Sequence, residues 1–171
     1  MSDTVKKVTK IINIVVIIGL CIGAFFVYRI ISEGNSKSER INRMMGMYSD
    51  GKWQACLDEY PKLIEAYPDL KGKYEEQISG CYQGMAQEKY AKSMTLPLLE
   101  RPKAAAEICP LFEKAAGIYK LSQLSVENYC DSLMDMGNFD KAAQVMKDAE
   151  ARSDIDAAKL AIYKGRLQKK K

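Results

Sequence analysis

Apolar residues are unevenly spread along this chain. From Ile11 to Tyr28 no residue is charged and Ile and Val dominate, and beyond Arg29 the run continues as Ile30 and Ile31. A helix over the uncharged stretch is about 27 Å long, close to the hydrocarbon thickness of a bilayer. The pattern predicts a transmembrane helix over residues 11–32, behind a basic tail at 1–10, with Arg29 reaching back to the headgroups. Gly34 and Asn35 are suited to a left-handed helix cap, so residues 33–36 are expected to form a linker. Ser36 and Glu39 have the spacing of a capping box and predict a fresh helix start.

From there the pattern is helical almost to the end. Trp53, Cys56, Leu57, Tyr60, Leu63, Ile64 and Tyr67 recur at helical spacing and make one apolar face. Ile108, Phe112, Ala115 and Tyr119 repeat it, as do Phe139, Ala142, Met146 and Ala149. Ser153 and Asp156 predict the start of a last helix over 157–171, carrying Ala158 and Ile162 after Ile155. No segment alternates with period two, so an all-α fold without a sheet is expected. The Met44, Met45, Met47 and Tyr48 cluster is an adaptable apolar patch, expected to pack in the core, with the groove or a partner as the alternative.

Two stretches resemble each other. Gly51-Lys52-Trp53 leads to Cys56, and Gly137-Asn138-Phe139 leads to Ala142: a turn glycine, a polar residue, an aromatic, then a small side chain. An apolar residue follows four positions later (Tyr60, Met146) and another three beyond (Leu63, Ala149). This resembles the tetratricopeptide repeat family, whose second helix opens with a small residue followed by an aromatic at +4 and alanine at +7. The resemblance covers most of residues 37–156 and gives units at 37–70, 89–122 and 123–156. The last two abut at the repeat's period of about 34 residues. The family's tryptophan, leucine and glycine in the first helix are replaced in the third unit by Val126, Tyr129 and Cys130. The middle unit departs most: residues 71–88 precede it, its first helix is expected from Lys71 to about Ser93, and Thr95 to Pro102 forms a proline-bounded loop. The resemblance implies a short stack of antiparallel helical hairpins, with the last helix as its cap.

Composition narrows the function. The chain is 47% hydrophobic and 28% charged, which excludes a disordered chain. It has no histidine, which removes the usual triad base and most metal ligation. The net charge of +4 sits largely in the first 32 residues, with Lys6, Lys7, Lys10 and Arg29 against Asp3. The near-neutral remainder lacks the basic footprint of a nucleic-acid binder. Neither a nucleophile with its base nor a glycine-rich phosphate loop is present, so no enzyme activity, cofactor or metal is expected. A cleaved signal sequence competes with the retained span, but no small-x-small site closes the apolar run. A lipoprotein signal at Cys21 competes too, yet Leu20 stands where a small residue is required. A short basic N-terminus ahead of an uncleaved span favours a cytoplasmic N-terminus and an exported domain. Gly19 and Gly23 are spaced for close helix–helix contact in the span, although glycine is common in membrane helices.

Four cysteines lie in the soluble part, with no C-x-x-C among them. Cys56 and Cys81 are centred on the Pro68 turn, and Cys109 and Cys130 on residues 119–120. Of three connectivities, Cys56–Cys81 and Cys109–Cys130 are favoured by position, and an oxidising compartment would follow. The alternative is that these cysteines fill small packing slots. On one helix Glu127, Asp131 and Asp135 make an acidic stripe flanked by Asn128 and Met134. Some tetratricopeptide domains grip a C-terminal carboxylate with lysine and asparagine; this stripe would repel one and suit a basic segment, or be merely a solvated face. The expected function is a membrane-anchored, non-catalytic scaffold or accessory subunit, contacting other membrane proteins through its repeat domain. The resemblance extends to bacterial inner-membrane proteins with a periplasmic repeat domain. The alternative is a receptor or chaperone binding client segments in the groove, including one on an organelle membrane facing the cytosol.

Overall fold

The structure, a computed structural model, describes residues 3–168, and the side chains from residue 17 onward except that of Ala157. In order it contains α1 (Asp3–Ser49), α2 (Trp53–Ala66), a 3-10 turn (Pro68–Leu70), α3 (Glu75–Ser93), α4 (Arg101–Ile118), α5 (Gln123–Asp135), α6 (Phe139–Glu150) and α7 (Ala157–Gln168). No strand occurs among the described residues. The chain divides into two compact units, Met1–Arg43 and Met44–Lys171.

The first unit is helical from Asp3 onward. From Ile17 to Ile31 its side chains are exposed, among them Leu20, Phe25, Phe26 and Ile30. It supplies the one helix among the described residues that is long and apolar enough to cross a membrane. The expected break at residues 33–36 is absent: α1 runs through Gly34, Asn35, Ser36 and Glu39 without interruption. Gly34 is not among the glycines of positive φ. A lone glycine costs a helix about 1 kcal/mol relative to alanine, too little by itself to stop a long one. The side chains of Lys6, Lys7 and Lys10, and residues Lys169 to Lys171, lie outside the described residues.

In the second unit successive helices are antiparallel neighbours. Each of α2 to α7 packs on the next, and alternate helices also meet, α3 with α5 and α5 with α7. This is the contact pattern of stacked hairpins. The middle hairpin starts at Glu75, so residues 75–93 are its first helix, shorter at the N-terminus than the expected start at Lys71. The core holds Ile108, Phe112, Val126, Leu133, Met146 and Leu160. Phe112 lies against Tyr129 with ring centroids 5.5 Å apart.

Two turns show why the sequence repeats itself. Gly51 and Gly137 have φ of 71° and 75°, a left-handed conformation that glycine adopts without strain. Lys52 N–H donates to the Met47 carbonyl (2.9 Å) and Gly51 N–H to that of Tyr48 (3.1 Å). Asn138 N–H likewise donates to Leu133 (2.8 Å) and Gly137 N–H to Met134 (3.0 Å). Both are Schellman caps, which end one helix and leave room for an aromatic to open the next. Trp53 and Phe139 hold those opening positions.

The last helix differs from its expected form. Asp156, not Ser153, caps α7, accepting from the Ala158 N–H at 2.9 Å. The buried face of α7 carries Leu160 and Leu167, whereas Ile162 is 66% exposed. Reading the register from Ile155 across the turn placed the face one residue row away from its true position.

A polar ladder on α3 ties the hairpins together. Ser79 Oγ donates to the Ala115 carbonyl in the last turn of α4 (2.9 Å), and Gln83 Nε2 donates to Ser79 Oγ (3.1 Å). Gln83 Oε1 accepts from the Ser122 N–H at the cap of α5 (2.9 Å), and Gln87 Nε2 donates to Ser125 Oγ (2.9 Å). The side chains of Ser79 and Gln83 are buried, so these bonds replace water where none reaches. Replacing Gln83 with Met keeps the volume and removes both bonds. It should cost roughly 1–3 kcal/mol of stability, read from urea unfolding followed by far-ultraviolet circular dichroism.

Candidate functional site

The second unit carries a cleft of about 470 Å³. Its wall is α3, where Gly80 and Gly84 stand one turn apart, and its aromatic members are Tyr48, Trp53 and Tyr119. A side-chain carbon on Gly80 would come within 2.6 Å of the Tyr48 hydroxyl, and one on Gly84 within 2.5 Å of the Trp53 ring. The two glycines therefore let Tyr48 and Trp53 lie directly on the helix backbone. Tyr48 and Trp53 meet edge to face at 5.7 Å, and Trp53 Nε1–H donates to Glu88 Oε1 at 2.7 Å. Edge-to-face contact suits the ring quadrupoles.

The far side of the cleft is charged. Arg152 donates to the Leu121 carbonyl (2.7 Å) and to Asp154, and Lys120 pairs with Asp154 at 3.0 Å. These two cations hold the Asp154 carboxyl well below the usual carboxylate range. Asp156 N–H donates to Gln123 Oε1 (2.9 Å), so the turn before α7 is fastened to the start of α5. The cleft is thus aromatic on one flank and a braced ion cluster on the other.

Within the acidic stripe on α5, Asp131 is engaged by other helices of the stack. Asp131 accepts from Arg166 of α7 (2.7 Å) and from the Tyr90 hydroxyl of α3 (2.9 Å). Arg166 also lies over the Tyr163 ring at 5.6 Å. Burial, and then the Asp131 charge, push the Tyr90 hydroxyl far up from its ordinary value. Glu127 accepts from Gln123 (2.9 Å), and Asp135 is half-buried. Asn128 and Met134 are buried and face the interior. The pattern of α5 alone does not show this pairing, because the cation for Asp131 comes from α7, 35 residues downstream.

No disulfide joins the four cysteines, which are buried free thiols. Cys56 and Cys81 lie on the packed helices α2 and α3 and shift one another's titration, Cys56 downward and Cys81 upward. The Cys109 thiol is pushed up to about 11 by burial and then by Glu113, and the Cys130 thiol to about 12 by burial and then by Asp131. Cys130 Sγ turns to the Ala142 carbonyl of α6 at 3.8 Å. Equal distance from a turn brings residues level, but they meet only when both face the same seam. Gly19 and Gly23 of α1 have no atom within 4 Å of the position a side chain would take. Among the described residues no three Cys, Asp or Glu side chains converge where a cation would sit.

Two features escaped the sequence reading. Gly80 and Gly84 have the same four-residue spacing as Gly19 and Gly23, and that spacing was legible. Leu98 and Leu99, in the loop between α3 and α4, are 75% and 92% exposed. That loop is nonetheless held: Arg101 donates to the Leu96 and Met94 carbonyls, and Leu96 and Glu100 N–H bond back to Ser93 and Pro97. No protein-family model, no curated protein and no solved structure matches this chain.

Gly84→Ala should displace the Trp53 ring and break its bond to Glu88. Overpacking of roughly 1–3 kcal/mol, offset by about 1 kcal/mol of helix propensity, leaves a net loss of about 0–2 kcal/mol. Trp53 is the chain's single tryptophan, so its emission maximum reports the displacement directly, and a red shift with a lower unfolding midpoint is expected.

Proposed function

We propose that this chain is a non-catalytic, membrane-anchored scaffold or accessory subunit, whose hairpin stack is tetratricopeptide-like and binds another membrane protein. The observation that carries the anchor is the bare apolar surface of α1 from Ile17 to Ile31. Side chains such as Phe25 and Phe26, more than half exposed along a continuous helix, are stable in lipid and unfavourable in water. The equivalent caps at Gly51 and Gly137, and the meeting of alternate helices, support the repeat reading. On this reading residues 11–32 span a bacterial inner membrane, the N-terminus is cytoplasmic and the stack is periplasmic. A stack on an organelle membrane facing the cytosol is the alternative placement.

The receptor or chaperone reading depended on a free acidic groove for basic segments. Internal pairing of Asp131 with Arg166 and Tyr90 weakens it and favours a docking surface elsewhere on the stack.

Purification of the full-length protein in mild detergent tests this reading. The expected outcome is co-elution of one set of membrane proteins in fixed ratio through successive columns. That ratio should persist when residues 17–31 are exchanged for an unrelated apolar span, because the stack makes the contact. Loss of the partners on exchange would instead assign the contact to the span and its Gly19–Gly23 strip. Recovery of the chain alone, or with a substoichiometric mixture, would reject the accessory-subunit reading. Alkaline carbonate washing should leave the full chain in the membrane fraction and release a chain lacking residues 1–32.

A further inference from the structure

Among the described residues Leu99 is the most exposed large apolar side chain, at 92%, and its neighbour Leu98 follows at 75%. Met94 just after α3 is 44% exposed, and Pro97 and Pro102 are exposed as well. Single apolar residues on a surface are ordinary, but these gather at the tip of one loop. The backbone of that loop is largely occupied. Thr95 donates to the Lys92 carbonyl through its N–H (3.2 Å) and its hydroxyl (2.7 Å), and Leu96 N–H donates to Ser93 (3.0 Å). Arg101 donates to the Met94 (3.0 Å) and Leu96 (3.3 Å) carbonyls, and Glu100 N–H to that of Pro97 (2.9 Å). Pro97 and Pro102 have no N–H to satisfy. Five carbonyls of the loop are thus bonded within the protein, which lowers the cost of taking the tip out of water.

The charge around the tip is mostly of one sign. Lys92 and Lys103 are exposed, Arg101 adds a cation at the base, and Glu100 is the one acid from 92 to 103. Beside them Glu107 is met by Lys89 at 2.8 Å. A stable protein–protein interface takes about 800 Å² from each partner, more than this tip offers by itself. An apolar tip flanked by lysines matches instead the layering of a bilayer surface, where acyl chains lie beneath anionic headgroups. Lysine suits the boundary because its stem can lie in the apolar layer while its ammonium stays among the headgroups.

We propose that Leu98 and Leu99 insert into the interfacial layer of an anionic phospholipid bilayer, with Lys92 and Lys103 on its headgroups. The stack thereby makes a membrane contact of its own. The inference rests on the anchor reading only in that a span keeps a bilayer at hand; the contact itself belongs to residues of the stack.

The full chain carrying Cys21→Ser and Leu99→Cys presents one exposed thiol, its other cysteines being buried, and takes an environment-sensitive fluorophore there. It is reconstituted into vesicles of phosphatidylcholine and phosphatidylglycerol. Expected are a blue shift of the emission and its quenching by lipid spin-labelled near the headgroup. The same label at Leu124→Cys, on the exposed surface of α5, should stay water-like. Lys92→Gln and Lys103→Gln should lower the ratio of seated to free tip about fivefold for each lysine removed. Water-like emission at residue 99, or quenching no greater than at residue 124, overturns the proposal. Alkaline carbonate washing of the same vesicles reads the anchor separately. A retained chain with a water-like tip defeats this inference alone, whereas a released chain with a quenched tip defeats the anchor alone. Benzoylphenylalanine in place of Leu99, irradiated in native membranes, should yield phospholipid adducts. A discrete protein adduct in their place would give the tip to a protein partner and overturn the lipid contact.

Discussion

The constraint on which the hairpin stack rests is that α3 must be approached closely from two sides at once. On one side Gly80 and Gly84 present bare backbone to Tyr48 and Trp53, which could not come as near to any residue with a side chain. On the other, Ser79, Gln83 and Gln87 carry hydrogen bonds to the end of α4 and the start of α5. The two strips share a helix because small and polar residues alternate along it in step with the helical period. Little of α3 is therefore a conventional apolar face. Its burial of polar groups is tolerable because no buried side-chain nitrogen or oxygen among the described residues lacks a partner. Geometry of this kind specifies a neighbour more sharply than apolar contact does, since a wrong register would strand each amide.

Further along, α7 plays the part that an open stack requires of its last element. It packs on α6 and α5, buries Leu160 and Leu167, and pairs Arg166 with Asp131 of α5. Arg152 and Asp154 fasten the turn that delivers α7, with Arg152 reaching the Leu121 carbonyl before α5. The cleft beside α3 and the loop bearing Leu98 and Leu99 are among the accessible surfaces of the stack.

Much of this was legible in the chain. The helical periodicities around Cys56, Phe112 and Met146 place those residues in the core, and the matching of Gly51 with Gly137 corresponds to two caps built from the same hydrogen bonds. These features are local, set by residues within a turn or two of one another. What escaped the sequence is non-local or a matter of competition. Gly34 and Ser36 carry cap chemistry, but continuing the helix there costs less than ending it. Asp131 looks like a ligand until Arg166 is brought to it, and the partner of Gly84 is a tryptophan 31 positions earlier. Cys109 and Cys130 satisfy the spacing for a pair, yet rotation about each helix axis turns Cys130 to α6.

The exposed leucines bear on how a scaffold of the proposed kind would act. Apolar side chains at a loop tip are often bare because the loop is loose, in which case binding must first order it. Here the loop is bonded to itself and to Arg101 at both ends, with Pro97 and Pro102 limiting its backbone. Leu98 and Leu99 are thus held out by a rigid support, and little ordering entropy remains to be lost on contact. The cleft beside α3 has the same character, its Trp53 fixed by Glu88 and its far wall by Arg152. A cleft preset in this way favours a partner of fixed shape over a succession of differing clients. That distinction, together with the internal pairing of Asp131, bears on the choice between the subunit and receptor readings for this stack.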